Sequence, residues 1–144
     1  MITAENYLLN AASLMTKPAT GTRGLWPRAS AWLLRLALEA ALDRFWTTVA
    51  PSVAQCRSRR AQLLMLRQYT GAETASRAAY LWWALSRAGH HHGYELALTA
   101  GELRHLHTEV RSMVEVLEFS SAAGVDRLND HVGGDAPAAA RNPS

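Results

Sequence analysis

One stretch limits the possible fold more than any other. Ala29 to Leu42 reads Ala-Ser-Ala-Trp-Leu-Leu-Arg-Leu-Ala-Leu-Glu-Ala-Ala-Leu. It is rich in strong helix formers. Arg35, Glu39 and, just beyond, Asp43 recur at i, i+4, so a helix places all three on one face as a salt-bridged polar stripe. Nearly every other position is apolar, and a helix apolar over that much of its circumference must be surrounded by others. The expectation is a bundle built around a central helix over about 27–48. Pro27 falls in its first turn, where a missing N–H is harmless.

The rest of the chain supplies the neighbours. Residues 3–16 form an expected first helix, with Tyr7, Leu8, Ala11, Leu14 and Met15 as its apolar stripe. Pro18, Gly21 and Gly24 mark a loop before the central helix. After Pro51 a third helix is predicted over 52–69, basic first (Arg57, Arg59, Arg60) and apolar later (Leu63, Leu64, Met65, Leu66). Thr70-Gly71 ends it. A fourth helix over 72–88 carries Tyr80, Leu81, Trp82, Trp83 and Leu85. Thr99 and Glu102 have capping-box spacing and predict the start of a fifth helix. Its seam is Leu103, Leu106, Val110, Met113 and Leu117, at heptad-like intervals. From Ser120 the composition turns to Ser, Ala, Gly, Asp, Asn and Pro. The expected organisation is therefore an all-α bundle of about five helices over residues 1–119, and a flexible tail over 120–144.

With 144 residues, 49% of them hydrophobic, the chain is long enough for one domain with a sizeable core. A net charge of +3 permits a nucleic-acid partner without requiring one. Cys56 is the single cysteine, so no intrachain disulfide can form, which suits a reducing cytoplasm. Glu5 and the lack of a basic run near the N-terminus do not read as a secretory signal. The most apolar run is broken by Arg35 and Glu39, so no membrane span is expected.

The chemistry-bearing residues cluster where the fourth helix ends. Arg87-Ala88-Gly89-His90-His91-His92-Gly93-Tyr94 contains the pattern R-x4-H-x-Y. Arginine neutralises phosphate, histidine moves a proton near neutral pH, and a tyrosine hydroxyl orients either. Those are the parts needed to cut a ribose-phosphate backbone without a metal. The same residues also allow a plainer role. Arg87 can pair with Glu95 or cap the helix C-terminus, His92 can be a solvated turn residue, and Tyr94 a packing residue.

The octapeptide resembles the signature of the HEPN superfamily, most closely its toxin branch paired with MNT nucleotidyltransferases. Ala29 to Leu42 looks like the long first bundle helix of such domains, and the resemblance spans roughly residues 24–118. It implies a homodimeric, metal-independent endoribonuclease, acting as a toxin or in phage defence. Arg and His of both subunits would meet in one cleft. Arg87, His92 and Tyr94 hold the matching positions. By the resemblance His92 is the general base or acid, Arg87 stabilises charge on the phosphorane-like transition state, and Tyr94 positions the phosphate or His92. The matching tyrosine of the toxin branch can be adenylylated by a partner nucleotidyltransferase, an antitoxin. Ala88 departs from the family, in which many members have a polar residue directly after the arginine.

Other constellations are weaker. His90, His91 and His92 are adjacent, so their side chains diverge, and His105 and His107 at i, i+2 lie on different faces; neither a metal nor a cofactor is expected. His90 or His91 can add positive charge or a second proton donor. Arg57, Arg59, Arg60 and Arg67 most often mean a solvated helix face, but beside the motif they would widen a cationic groove for phosphates. Phe45-Trp46 and Trp82-Trp83 read as core or dimer-interface pairs rather than base-stacking platforms. A helix-turn-helix repressor fits poorly, since a recognition helix needs an exposed polar face. The runner-up function is a non-catalytic HEPN-like module that binds RNA, a nucleotide or a protein; a purely structural dimerising bundle is a third.

Overall fold

The computed structural model describes residues 2–17, 25–90 and 98–133. These form six helices and no strand: α1 Ala4–Thr16, α2 Trp26–Val49, α3 Pro51–Ala54, α4 Arg59–Thr70, α5 Ala72–Gly89 and α6 Ala100–Gly133. The all-α expectation holds. As the Ala/Leu-rich stretch required, α2 is central: α1, α3, α5 and α6 all pack on it. Its buried side chains include Leu34, Leu38, Leu42, Phe45 and Trp46. They meet Leu8 of α1, Leu66 of α4, Leu81 and Leu85 of α5, and Leu103, Val110, Met113 and Leu117 of α6 in one core.

The helix ends follow local chemistry. Thr3 caps α1, its hydroxyl accepting from the Asn6 N–H at 3.3 Å. Thr99 and Glu102 form the reciprocal capping box at the start of α6: the Thr99 N–H donates to Glu102 Oε2 at 2.7 Å, and the Glu102 N–H to Thr99 Oγ1 at 3.2 Å. Hydrogen bonding to the carboxylate from the Thr99 backbone N–H, the larger effect, and from the Thr99 side chain holds the Glu102 carboxyl below its ordinary value of 4.5. Gly71 alone joins α4 to α5, with φ 90° and ψ 167°, a conformation that only glycine adopts without strain.

Two expectations need correction. The predicted helix over 52–69 is two helices. Ser58 starts α4 as an N-cap, accepting from the Ala61 N–H at 3.2 Å. Buried Gln62 then holds the intervening turn, its amide donating to the Val53 and Cys56 carbonyls at 3.1 and 3.0 Å. The second correction concerns residue 120, where helix was expected to give way to tail. Instead α6 continues to Gly133. Once a helix is nucleated, each further residue adds a hydrogen bond at little cost, so a Ser/Ala-rich stretch propagates it. Ser120 to Val125 remain half-buried except for Ala122, and Gly124 lies against Val49. From Asp126 to Val132 every side chain is exposed. The tail-like character thus begins about two turns later than composition suggested.

Candidate functional site

The R-x4-H-x-Y pattern starts on the last turn of α5. Arg87 is exposed there, its guanidinium 5.5 Å from the centroid of the Trp83 ring. His90 closes the helix as its C-cap, with its N–H donating to the Arg87 carbonyl at 3.2 Å. Ala88 is half-buried and packs against the core. His91, His92 and Tyr94 lie outside the described residues. Arg28, at the start of α2, donates from Nε to the Gly89 carbonyl at 2.9 Å. A bare helix C-terminus repels an anion. Here Arg28 sits on the terminal carbonyl, and Arg87 stands on the same last turn.

Behind them, α2 and α5 share an edge of stacked groups. The Arg35 guanidinium lies 5.5 Å from the Trp32 ring centroid and 5.4 Å from that of Trp82. Glu39 Oε1 accepts from Arg35 Nε at 3.1 Å and from Trp82 Nε1 at 3.2 Å. Gly89 packs on Trp32, so the stack abuts the end of α5. One stripe further round α5, Tyr80 and Trp83 sit with ring centroids 6.3 Å apart. Trp32 is 48% exposed, Trp83 54% and Tyr80 61%. For Trp83 a core position is therefore excluded. Phe45 and Trp46 are core, as expected, and meet Tyr69 edge to face.

Arg59, at the start of α4, is not brought to the end of α5. Arg59 Nη1 donates to Asp43 Oδ1 at 2.8 Å and to Gln62 Oε1 at 2.7 Å. Asp43 and Arg28 are separated by about four turns of α2, on the order of 20 Å of rise. Arg59 therefore braces the α3–α4 turn, far from Gly89, and Arg57 and Arg60 flank it in exposed positions. Asp43 was expected to complete a stripe with Arg35 and Glu39; it bonds across to α4 instead. His107 is also structural, its Nε2 3.1 Å from the Leu8 carbonyl across the α1–α6 contact. Among the described residues no three His, Cys, Asp or Glu converge on a metal position, and no helix is long and apolar enough to cross a membrane.

A groove of about 600 Å³ opens elsewhere, between the start of α1, the middle of α2 and α6. Glu5, Glu39, Asp43 and Glu118 outnumber Arg44 on its walls, so it does not suit a phosphate. The residues that sequence reasoning passed over are Arg28, Trp32 and Tyr80. A signal was present: Trp32 lies off the buried stripe of α2, and Tyr80, Trp83 and Arg87 share one face of α5 at i, i+3, i+7. Compared with protein-family models, curated proteins and solved structures, the chain matches none.

Proposed function

We propose that this chain is a metal-independent endoribonuclease of HEPN type, a toxin or phage-defence effector that works in the cytoplasm as a homodimer. The observation that carries the reading is the placement of Arg87. It stands exposed on the last turn of α5, the helix whose Gly89 carbonyl accepts from Arg28, and the sequence runs from it straight into the histidines. In this mechanism a ribose 2′-hydroxyl attacks the adjacent phosphorus and the bond to the 5′-oxygen breaks. The products are a 2′,3′-cyclic phosphate and a 5′-hydroxyl. His92 takes or returns the proton, Arg87 stabilises the charge that builds on the phosphoryl oxygens, and Tyr94 orients them. A partner nucleotidyltransferase that modified Tyr94 would block the cleft.

The test is incubation of wild type, Arg87→Ala and His92→Ala with total RNA in chelator, followed by analysis of product ends. Arg87→Ala is expected to lose about 10²- to 10³-fold in rate, as for removal of one oxyanion donor. His92→Ala should lose about 10²- to 10⁴-fold. Both should keep wild-type helicity, and wild type should sediment as a dimer at micromolar concentration. Cleavage by both variants at the wild-type rate, or cleavage abolished by chelator, rejects the mechanism. The second reading, a non-catalytic module binding RNA, a nucleotide or a protein, draws on the exposed rings of α2 and α5. It takes over if binding persists without any cut.

A further inference from the structure

We propose that this chain pairs with a second copy of itself by seating the exposed face of α4 in the groove between α1, α2 and α6, each helix in the other copy's groove. The contact supplies an interface for the homodimer of the reading above. It rests on that reading for the two-copy state and on none of its chemistry.

Three observations carry it. First, the groove gathers negative charge in a basic chain. Glu5, Glu39, Asp43 and Glu118 line it, in a chain with 12 acidic residues and a net charge of +3. Glu39 and Asp43 are held by Arg35 and Arg59. Glu5 and Glu118 are exposed and make no ion pair among the described residues. The same walls carry Ile2 and Leu36, so an apolar side chain also finds contact there. Second, α4 has the opposite character. It holds Arg59, Arg60 and Arg67 and no acidic residue. Arg60, Leu64 and Arg67 recur at i, i+4, i+7 and are all exposed, so they form one outward face. Leu64 is 74% exposed. A lone exposed leucine is ordinary. One framed along a helix by two arginines that make no ion pair among the described residues suits an apolar groove with acidic walls. Third, the two surfaces adjoin: Arg59, on the first turn of α4, already bonds Asp43 on the groove wall at 2.8 Å.

A two-fold axis beside that corner makes the contact self-complementary, because each copy gives one helix and takes one. Leu64 would lose apolar surface to water-free contact with the groove, while Arg60 and Arg67 meet Glu5 and Glu118. A groove of about 600 Å³ admits the outer side chains of one helix face, not a whole helix of about 10 Å diameter. Charge also sets the register. Groove against groove, or α4 against α4, would bring like charges face to face.

The experiment is sedimentation equilibrium of the full chain at micromolar concentration, with helicity and melting of every variant as the folding control. Leu64→Ala should weaken the dimer about 5- to 30-fold. Reversing the helix face with Arg60→Glu and Arg67→Glu should weaken it about 100-fold or more, and so should reversing the groove with Glu5→Lys and Glu118→Lys. Mixing the two reversed chains should restore pairing as a heterodimer, since each then offers the charge that the other lacks. Misfolding of either variant cannot produce that recovery. Failure of two folded, reversed chains to associate overturns the proposal. A dimer that ignores every substitution pairs through another face; it overturns the contact and leaves the ribonuclease reading its homodimer. A chain that is monomeric at every concentration overturns the contact and takes the two-copy state from that reading as well. Recovered pairing in a chain that cuts no RNA supports the contact and sinks the ribonuclease reading.

Discussion

The two adjacent aromatic pairs have opposite fates. Phe45 and Trp46 are sealed in the core near the end of α2, where Tyr69 of α4 closes over both rings edge to face. Trp82 and Trp83 sit on α5 where α2 is the neighbour. Trp82 turns inward, donating to Glu39, while Trp83 faces out under Arg87. Composition does not separate these pairs; what differs is how many helices converge on them. Where α2, α4 and α5 meet, rings become stability. Where α2 and α5 meet beside Glu39, Trp82 is drawn in and Trp83 is left at the surface, on the helix that ends at Gly89.

The sharpest way to break the comparison is to truncate one ring of each pair. Trp46→Ala should destabilise by about 3–5 kcal/mol, the usual cost of a large aromatic lost from a packed core. Its indole N–H has no hydrogen-bond partner among the described residues. Trp46→Phe should therefore forfeit packing only and cost clearly less. Trp83→Ala should stay within about 0.5 kcal/mol of wild type, as exposed substitutions do. Denaturant melts of the three variants check this. Equal losses for Trp46→Ala and Trp83→Ala would mean that the open edge is also structural.

A smaller effect tests what closes the buried end. Gln62 bridges the Val53 and Cys56 carbonyls and accepts from Arg59. Gln62→Ala leaves two carbonyls without their donor, so a loss of about 1–3 kcal/mol is expected. Arg59→Ala should cost less, because its Asp43 partner is largely solvated and can rehydrate. If both variants melt with wild type, the turn is held by α3 packing and not by the glutamine.

These residues also show where the sequence was readable. Period and capping carried the fold: Ala29 to Leu42 named the central helix, and Thr99 with Glu102 named the start of α6. Local patterns could not foresee Asp43 reaching across to Arg59, since that pair exists only after α4 has docked. The same limit hid the role of Gln62, whose partners are carbonyls of a turn that the apolar run at 63–66 masked. At the site, Arg87 was legible by type and spacing. Arg28 and Trp32, which meet Gly89 at the end of the same helix, come from a helix start some sixty positions earlier, and only packing of α2 on α5 places them there.

The smallest expected effect lies at the start of α6, where the capping box fixes the helix that follows the motif. Folding lowers the Glu102 carboxyl below 4.5 because the ionised form accepts from Thr99. A carboxyl whose folded value is depressed adds stability above its unfolded value and loses it as pH falls through the folded one. The cap should therefore contribute in full at neutral pH, begin to weaken as the pH drops past about 4.5, and vanish below the lowered value. Other carboxylates titrate in that window, so the informative quantity is a difference between wild type and Glu102→Gln. Glutamine can still accept from the Thr99 N–H, but it neither ionises nor favours the positive end of the helix dipole. Wild type should melt slightly higher at pH 7, and the two melting curves should converge in acid. If the gap is unchanged across that range, the charge on Glu102 adds nothing and the cap rests on hydrogen-bond geometry alone.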